Sequence, residues 1–109
     1  MATEVIWTTH SEFGLKNIFE FIAHDSAFYA ARFFNNLVIS TNNQLSLKPL
    51  SGRSIPEFEG TNLSFLREVI YRGYRVIYDP SDSPDKVFIL AVGSGRQELR
   101  NINTDWDLD

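Results

Sequence analysis

Three strand-like segments at hairpin spacing restrict the fold of this chain more than any other feature. Residues 65–71 and 74–79 flank Arg72-Gly73, a two-residue connection typical of a hairpin in which glycine takes a positive φ. Residues 86–92 are apolar after Lys86, as expected of a central strand covered on both faces. With residues 80–85 as a second hairpin connection, the pattern predicts an antiparallel meander of three strands.

The first half of the chain has the periodicity of helices. Residues 4–8 form a short β-type run, and Thr9 and Glu12 have the spacing of a capping box, so a strand is expected to lead directly into a helix. Residues 24–26 provide a break and a second cap, and this short connection predicts an antiparallel αα-hairpin. The apolar stripes of the two helices are Leu15, Ile18, Phe19 and Ile22, then Ala27, Ala30, Ala31, Phe34, Leu37, Val38, Thr41 and Leu45.

Three aromatic side chains, Phe21, Phe28 and Phe33, fall off these stripes. They predict a second apolar helix face that binds another chain. Residues 47–62 contain two prolines and two glycines and are expected to form a loop from the helices to the sheet.

The composition is that of one folded domain, residues 1–109. A hydrophobic share of 43% supplies a core, and the absence of cysteine excludes disulfides and thiolate zinc sites. The chain has no basic segment followed by an apolar one at its start, and no run of about 18 apolar residues. These features predict an α+β protein of the cytoplasm without a membrane span.

Negative charge is concentrated in the last residues of the sequence. The formal net charge is −4, and residues 101–109 contain Asp105, Asp107 and Asp109 but no cation. Nonspecific nucleic-acid binders gain affinity from cations that displace counterions from phosphates. Direct nucleic-acid binding by the free chain is therefore not expected, and the acidic tail is predicted to be a short helix or a frayed end.

Arginines on the predicted strands are candidate binding residues. With Arg72-Gly73 as the turn, Arg67 lies opposite Tyr78 among apolar neighbours, so its guanidinium must reach solvent, meet a carboxylate or face a ligand. Arg75 lies on the other face, diagonal to Glu68 and within reach of a cross-strand ion pair. A register error of one residue would exchange these two assignments.

Two further arginines lie in glycine-containing turns. Arg96 comes just past the third strand, where a flexible backbone can present a side chain outward. Arg53 is a second candidate for binding a partner. The alternative is a structural role, in which Arg53 forms an ion pair with Glu57 or Glu59 that stabilises the loop. Together the four arginines predict a basic surface on a small sheet.

Other chemistries have weaker support in the sequence. His10 and His24 lie near opposite ends of the first helix, so a catalytic histidine pair is not expected. No repeated spacing suggests a metal site, and no cofactor is expected. Residues 93–95 are only a fragment of a phosphate-binding loop and are better interpreted as the end of a strand.

The order of these motifs resembles the RelE/ParE superfamily of type II toxins over nearly the whole chain. No single motif is specific, but their order and spacing together are. The residues that carry the resemblance are Trp7, the helical hairpin, Pro49, Gly52-Arg53, Pro56-Glu57, Leu66-Arg67-Glu68, Tyr74-Arg75-Val76-Ile77-Tyr78 and Val92-Gly93-Ser94-Gly95-Arg96.

The resemblance implies a helical hairpin packed on an antiparallel sheet, and a cognate antitoxin that wraps and neutralises the toxin in a hetero-oligomeric complex. RelE-type members are implied to cut mRNA on the ribosome. ParE-type members are implied to poison DNA gyrase without hydrolytic chemistry of their own. Roles in growth inhibition and plasmid stabilisation in bacteria follow from the same resemblance.

The residues themselves favour the ParE branch. RNA cleavage needs a proton acceptor, an acid for the leaving oxygen and cations for the phosphorane. The resemblance implies that RelE-like enzymes use lysines, arginines and a C-terminal tyrosine for these tasks. Arg67 and Arg96 match the arginine positions of those enzymes. However, residues 52–62 contain no lysine and no tyrosine follows Tyr78. We therefore expect a gyrase inhibitor that binds its target and its antitoxin through Arg53, Arg67, Arg75 and Arg96. A ribosome-dependent endonuclease using Arg67 and Arg96 and a non-toxic, antitoxin-binding family member are the alternatives.

Overall fold

The computed structural model describes residues 2–83 and 85–95, with only the backbone described for residues 81–83. Arg96 and the acidic tail, residues 101–109, lie outside the described residues. The elements in chain order are β1 (Glu4–Trp7), α1 (Thr9–Ala23), α2 (Ala27–Leu47), β2 (Arg53–Ser54), a 3-10 helix (Pro56–Phe58), β3 (Arg67–Tyr71), β4 (Tyr74–Ser83) and β5 (Lys86–Ser94).

The strands form one mixed sheet in the order β1-β5-β4-β3-β2. The predicted α+β architecture is confirmed: β3, β4 and β5 are an antiparallel meander, and Arg67 pairs with Tyr78 as expected. The turn between β3 and β4 has φ values of 47° at Arg72 and 86° at Gly73, which is the left-handed geometry of a two-residue hairpin. β1 joins β5 in parallel, and β2 adds a two-residue edge to β3.

Two predicted boundaries were wrong. The cap of α1 is Thr8 rather than Thr9, because the Thr8 hydroxyl donates to the Ile89 carbonyl at 2.7 Å and accepts from the Ser11 amide at 3.2 Å. The connection before β5 is shorter than residues 80–85, because β4 continues to Ser83. The pairing of β4 with β5 is irregular between Asp79 and Ser83, and Pro80 lies in this irregular part. A proline, which has no backbone N–H, is tolerated in a strand at such an irregularity.

Both helices pack on the same face of the sheet, which we call the helix face. Its buried residues are Leu15, Phe33, Leu37, Leu45, Val69, Val76, Tyr78, Val87, Ile89 and Val92. Phe33 was expected to lie off the core, but its ring packs edge-on against Tyr71 and Tyr74 at centroid distances of 5.6 and 5.4 Å. Phe21 and Phe28, in contrast, are 76% and 79% exposed.

Gly14 allows α1 to approach β5 closely. A Cβ atom at this position would clash with the carbonyl oxygen of Val92. Glycine is unfavourable inside a helix, so its presence here follows from the close contact with the sheet.

The opposite face of the sheet, which we call the loop face, is covered by the segment between β2 and β3. Its apolar core consists of Ile55, Phe58, Leu66, Ile77, Leu90 and Ala91. The segment predicted as a loop therefore contains a strand, a 3-10 helix and part of the core. In the described residues, neither helix is long and apolar enough to cross a membrane.

Candidate functional site

A buried carboxylate lies at the centre of the loop face. Strand alternation places Glu68 and Arg75 on this face, and the Arg75 Nε donates to Glu68 Oε1 at 2.6 Å. The geometry of the predicted diagonal pair is thus confirmed. Both side chains are buried, with exposures of 0% for Glu68 and 6% for Arg75.

Arg75 also contacts a second carboxylate, that of Glu57 in the 3-10 helix. Its two terminal nitrogens donate to the Glu57 oxygens at 2.6 and 2.9 Å, in the bidentate geometry that suits a guanidinium. Hydrogen bonding to Glu57 is the largest cause that raises the pKa of Arg75. Among Arg53, Arg67 and Arg75, the three candidate arginines within the described residues, Arg75 is the buried one.

Arg53 reaches the same central carboxylate from the edge of the sheet. Because β2 pairs Arg53 directly with Glu68, the Arg53 Nε donates to Glu68 Oε2 at 2.7 Å. The sequence analysis named Glu57 or Glu59 as the ion-pair partner of Arg53, because both are near it in sequence. That choice of partner was wrong. The Arg53 side chain is 58% exposed.

These contacts form a row of alternating charges, Glu57, Arg75, Glu68 and Arg53, which we call the charge row. It begins at a partly buried carboxylate, passes through two buried groups and ends at the exposed guanidinium of Arg53. Sequence reasoning treated Glu68 only as a partner of Arg75. The signal for a larger role was its place on a strand face whose other long side chains are apolar.

On the helix face, Arg67 holds the loop that carries Arg53. One of its terminal nitrogens donates to the Gly52 carbonyl at 2.8 Å and to the Leu50 carbonyl at 3.3 Å. Arg67 was expected to reach solvent, a carboxylate or a ligand, and it instead binds backbone oxygens. Its guanidinium therefore fixes the path of the chain into β2.

Tyr78 holds the same loop from within the core. Its hydroxyl accepts a hydrogen bond of 2.9 Å from the Gly52 amide, and a Cβ at Gly52 would lie 2.6 Å from the tyrosine ring and hydroxyl. Burial raises the pKa of Tyr78, although the Gly52 amide and the charge of Arg67 oppose that shift. Gly52, Arg67 and Tyr78 together form a unit that we call the loop clamp.

The charge row borders an open hollow of about 570 Å³ on the loop face. Ile70, which is 48% exposed, supplies an apolar wall beside the arginines. Gly95 is the last described residue at this rim, and the predicted binding residue Arg96 follows it in sequence. The lining residues are Arg53, Glu57, Ile70, Gly73, Arg75 and Gly95.

The hollow offers hydrogen-bond donors on the exposed side chain of Arg53. His10 lies in the first turn of α1 and His24 at its end, so the two histidines are separated by roughly 20 Å along the helix. Among residues 2–83 and 85–95, no cluster of three metal-ligating side chains occurs. The ionisable side chains that line the hollow are those of Arg53, Arg75 and Glu57.

A second candidate surface lies on the helices. Phe13, Phe21, Phe28 and Tyr29 are each more than half exposed. An apolar groove of about 410 Å³ also runs between the helices and β1. It is lined by Trp7, Glu12, Leu15, Lys16, Phe34 and Val38. The exposed aromatics agree with the predicted apolar helix face, except that Phe33 is buried.

Comparisons with known proteins give this arrangement a family. The family model of the ParE toxin of type II toxin–antitoxin systems, parDE, matches residues 5–99. No curated protein sequence matches the chain.

Two solved structures have a similar fold. A chain of the chromosomal ParDE toxin–antitoxin system of P. aeruginosa superposes with a TM-score of 0.65 and 14% identity, covering 85% of this chain and 96% of that one. A chain of the RelBE2 toxin–antitoxin complex of Mycobacterium tuberculosis gives a TM-score of 0.64 and 21% identity, covering 86% of this chain and 92% of that one. At these identities the two structures show the fold, and the match over residues 5–99 shows that the chain belongs to the ParE toxin family of type II toxin–antitoxin systems.

Proposed function

We propose that this protein is a toxin that inhibits DNA gyrase by binding it, and that a cognate antitoxin neutralises it. The observation that carries the proposal is the exposed Arg53 guanidinium at the rim of a hollow that offers hydrogen-bond donors. Such a site can hold an anionic group of a target. In this proposal the protein acts by binding rather than by turnover.

The antitoxin is proposed to cover apolar surface on the helices. The groove between the helices and β1 and the exposed aromatics of α1 and α2 offer the apolar area that an amphipathic segment buries. In this arrangement toxin and antitoxin form a hetero-oligomeric complex in the cytoplasm. Arg53 of the loop face remains the described arginine that is proposed to act on the target.

Supercoiling by purified gyrase, with the protein titrated in, tests the proposal beside an in vitro translation reaction from the same preparation. We expect loss of supercoiling, or trapped cleaved DNA, while translation continues. Arrested translation with ribosome-dependent cuts in mRNA contradicts it and assigns RNA cleavage to Arg67 and Arg96.

The endonuclease is a second candidate because the RelBE2 chain superposes about as well as the ParDE chain. A third candidate is a non-toxic family member that binds only an antitoxin. Induced expression separates the three. An SOS response with double-strand breaks indicates gyrase, rapid translation arrest indicates the endonuclease, and unaffected growth indicates the third.

Arg96 provides a residue-level test of the same proposal. Arg96→Ala is expected to abolish toxicity and to retain antitoxin binding, measured by growth after induction and by copurification with the antitoxin. A fully toxic variant would refute a role for Arg96 in target binding.

A further inference from the structure

We propose that Glu68 is a positioning residue, which orients Arg53 so that its terminal amino groups receive an anionic oxygen of the target. This inference rests on the proposed function and deepens it. The anionic oxygen belongs to a carboxylate or a phosphate, since both accept the paired donors of a guanidinium.

The first step is that Glu68 cannot move easily. Its backbone is paired on both sides, with Arg53 of β2 and Ile77 of β4. Its side chain is fully buried, and Oε1 accepts from Arg75, which Glu57 holds in turn. Oε2 is therefore a fixed acceptor at the edge of the hollow.

The second step concerns the orientation of Arg53. A guanidinium is planar, so a hydrogen bond from Nε to Glu68 fixes its plane and leaves the far edge, formed by one N–H of each terminal amino group, directed away from that carboxylate. Among the described residues, these amino groups donate no hydrogen bond, and the side chain is 58% exposed. Arg53 is thus held at one end and open at the other.

The third step is the benefit of this arrangement for binding. A free arginine loses side-chain conformational entropy when it is immobilised in a complex, and a preoriented one has already lost part of it. A lysine at position 53 would keep the charge but would have no Nε–H for Glu68 and no fork for the anion. The placement therefore explains why the edge residue is an arginine.

Nitrogen-15 NMR of arginine side chains tests the orientation without any target. The Arg53 Nε–H signal is assigned by its loss in Arg53→Lys. We expect it to be displaced and slow to exchange in the natural protein, and to move to the position of an exposed arginine in Glu68→Asp. Glu68→Asp keeps the charge but withdraws the carboxylate by one methylene. An Arg53 signal that is the same in both proteins overturns the proposal.

Titration with acetate and with inorganic phosphate then identifies the anion. We expect one of them to shift the Arg53 signal of the natural protein, and to shift it less in Glu68→Asp. A shift with acetate alone indicates a carboxylate, and one with phosphate alone a phosphate. No shift with either anion overturns the assignment of Arg53 as an anion-binding group.

A double-mutant cycle tests whether the orientation matters for toxicity. Arg53→Lys and Glu68→Asp are each expected to reduce growth inhibition about tenfold per folded molecule, since one well-oriented charge-assisted hydrogen bond is lost. The double variant is expected to be no worse than either single one, because Glu68 acts through Arg53. Losses that multiply overturn the proposal.

Val87→Ala serves as the matched control, because Val87 is 1% exposed on the helix face and its substitution lowers stability without touching the charge row. We expect its growth inhibition per folded molecule to equal that of the natural protein. If Val87→Ala loses as much growth inhibition per folded molecule as Glu68→Asp does, lower stability explains both losses and the positioning role is refuted. Neither the NMR nor the growth readout involves purified gyrase, so a failure to inhibit supercoiling refutes the proposed target alone.

Discussion

The two faces of the sheet are stabilised by different means. On the helix face, two amphipathic helices cover the strands, and their core is a cluster of apolar side chains with the loop clamp at one edge. On the loop face, a short segment covers the strands, and the charge row lies beside six apolar residues.

This difference gives the two faces of one small sheet different physical properties. The hydrophobic effect is non-directional, so the helix face stabilises the fold without requiring a particular orientation of any side chain. Ion pairs are directional, and their desolvation cost offsets much of their attraction. The loop face is therefore the face on which side-chain orientation is fixed by directional contacts, as the proposed role of Arg53 requires.

The largest effect is expected when the charge row is interrupted. Glu68→Leu leaves the buried Arg75 with one carboxylate fewer, and removing one member of a buried ion pair costs about 3–5 kcal/mol of unfolding free energy. Urea denaturation measures this loss. The double variant Glu68→Leu with Arg75→Leu is expected to be more stable than Glu68→Leu alone, because the buried guanidinium that lost a carboxylate is then removed as well. A double variant that is less stable than the single one contradicts this account of the loop face.

On the helix face, truncation of a core side chain is expected to cost nearly as much. Leu45 is fully buried, and Leu45→Ala removes apolar contacts worth about 2–5 kcal/mol. Urea denaturation at low and high salt distinguishes the two faces. The unfolding free energy lost in Leu45→Ala should not depend on ionic strength, because the lost contacts are apolar. A loss below about 1 kcal/mol would mean that the helices pack less closely than the structure shows.

A smaller effect is expected at the contact between α1 and β5. In an exposed helix, Gly→Ala stabilises by up to about 1 kcal/mol. At Gly14 the new Cβ would meet the Val92 carbonyl, so we expect Gly14→Ala to destabilise by about 1–3 kcal/mol instead. A lower thermal melting temperature in Gly14→Ala would confirm the clash with Val92, and a higher one would show that helix propensity dominates. Lys16→Ala on the exposed side of α1 is a matched control with an expected change below about 0.5 kcal/mol.

The loop clamp is expected to respond to pH. Because the pKa of Tyr78 is raised in the folded state, its contribution to stability is fully present below about pH 10 and is lost as pH rises from there toward the folded value. Tyr78→Phe removes the acceptor of the Gly52 amide and should cost about 1–2 kcal/mol at neutral pH. Denaturant titrations at several values from pH 8 to 11 should show a smaller alkaline decline in the variant. An identical decline in both proteins would assign it to other groups.

The smallest effect is expected at a polar atom on the apolar face. Among the described residues, the Thr41 hydroxyl is buried without a hydrogen-bond partner. Thr41→Val removes this unpaired group at nearly constant volume, and we expect a stabilisation of about 1 kcal/mol. Calorimetry measures the change, and a destabilised variant would show that the hydroxyl has a partner.

Much of the fold was predictable because it follows from local patterns. Helical periodicity identified both helices, and the Arg72-Gly73 turn set the register that pairs Arg67 with Tyr78 and places Arg75 diagonal to Glu68. Phe33 was assigned to the wrong face because its burial depends on Tyr71 and Tyr74, which are distant in sequence. The N-cap of α1 was predicted one residue too late, at Thr9, because a contact between Thr8 and β5 determines its position.

The candidate site was only partly predictable, for the same reason. Sequence alone selected the arginines and determined the strand alternation that separates Arg67 from Arg75. Only the tertiary structure decided that Arg53 meets Glu68, 15 residues away, and that Glu57 meets Arg75, 18 residues away. Both contacts form when the segment between α2 and β3 closes over the sheet and adds β2 to its edge. A repeating local pattern specifies turns and faces, whereas the partner of a buried charge depends on which distant segment covers it and excludes water.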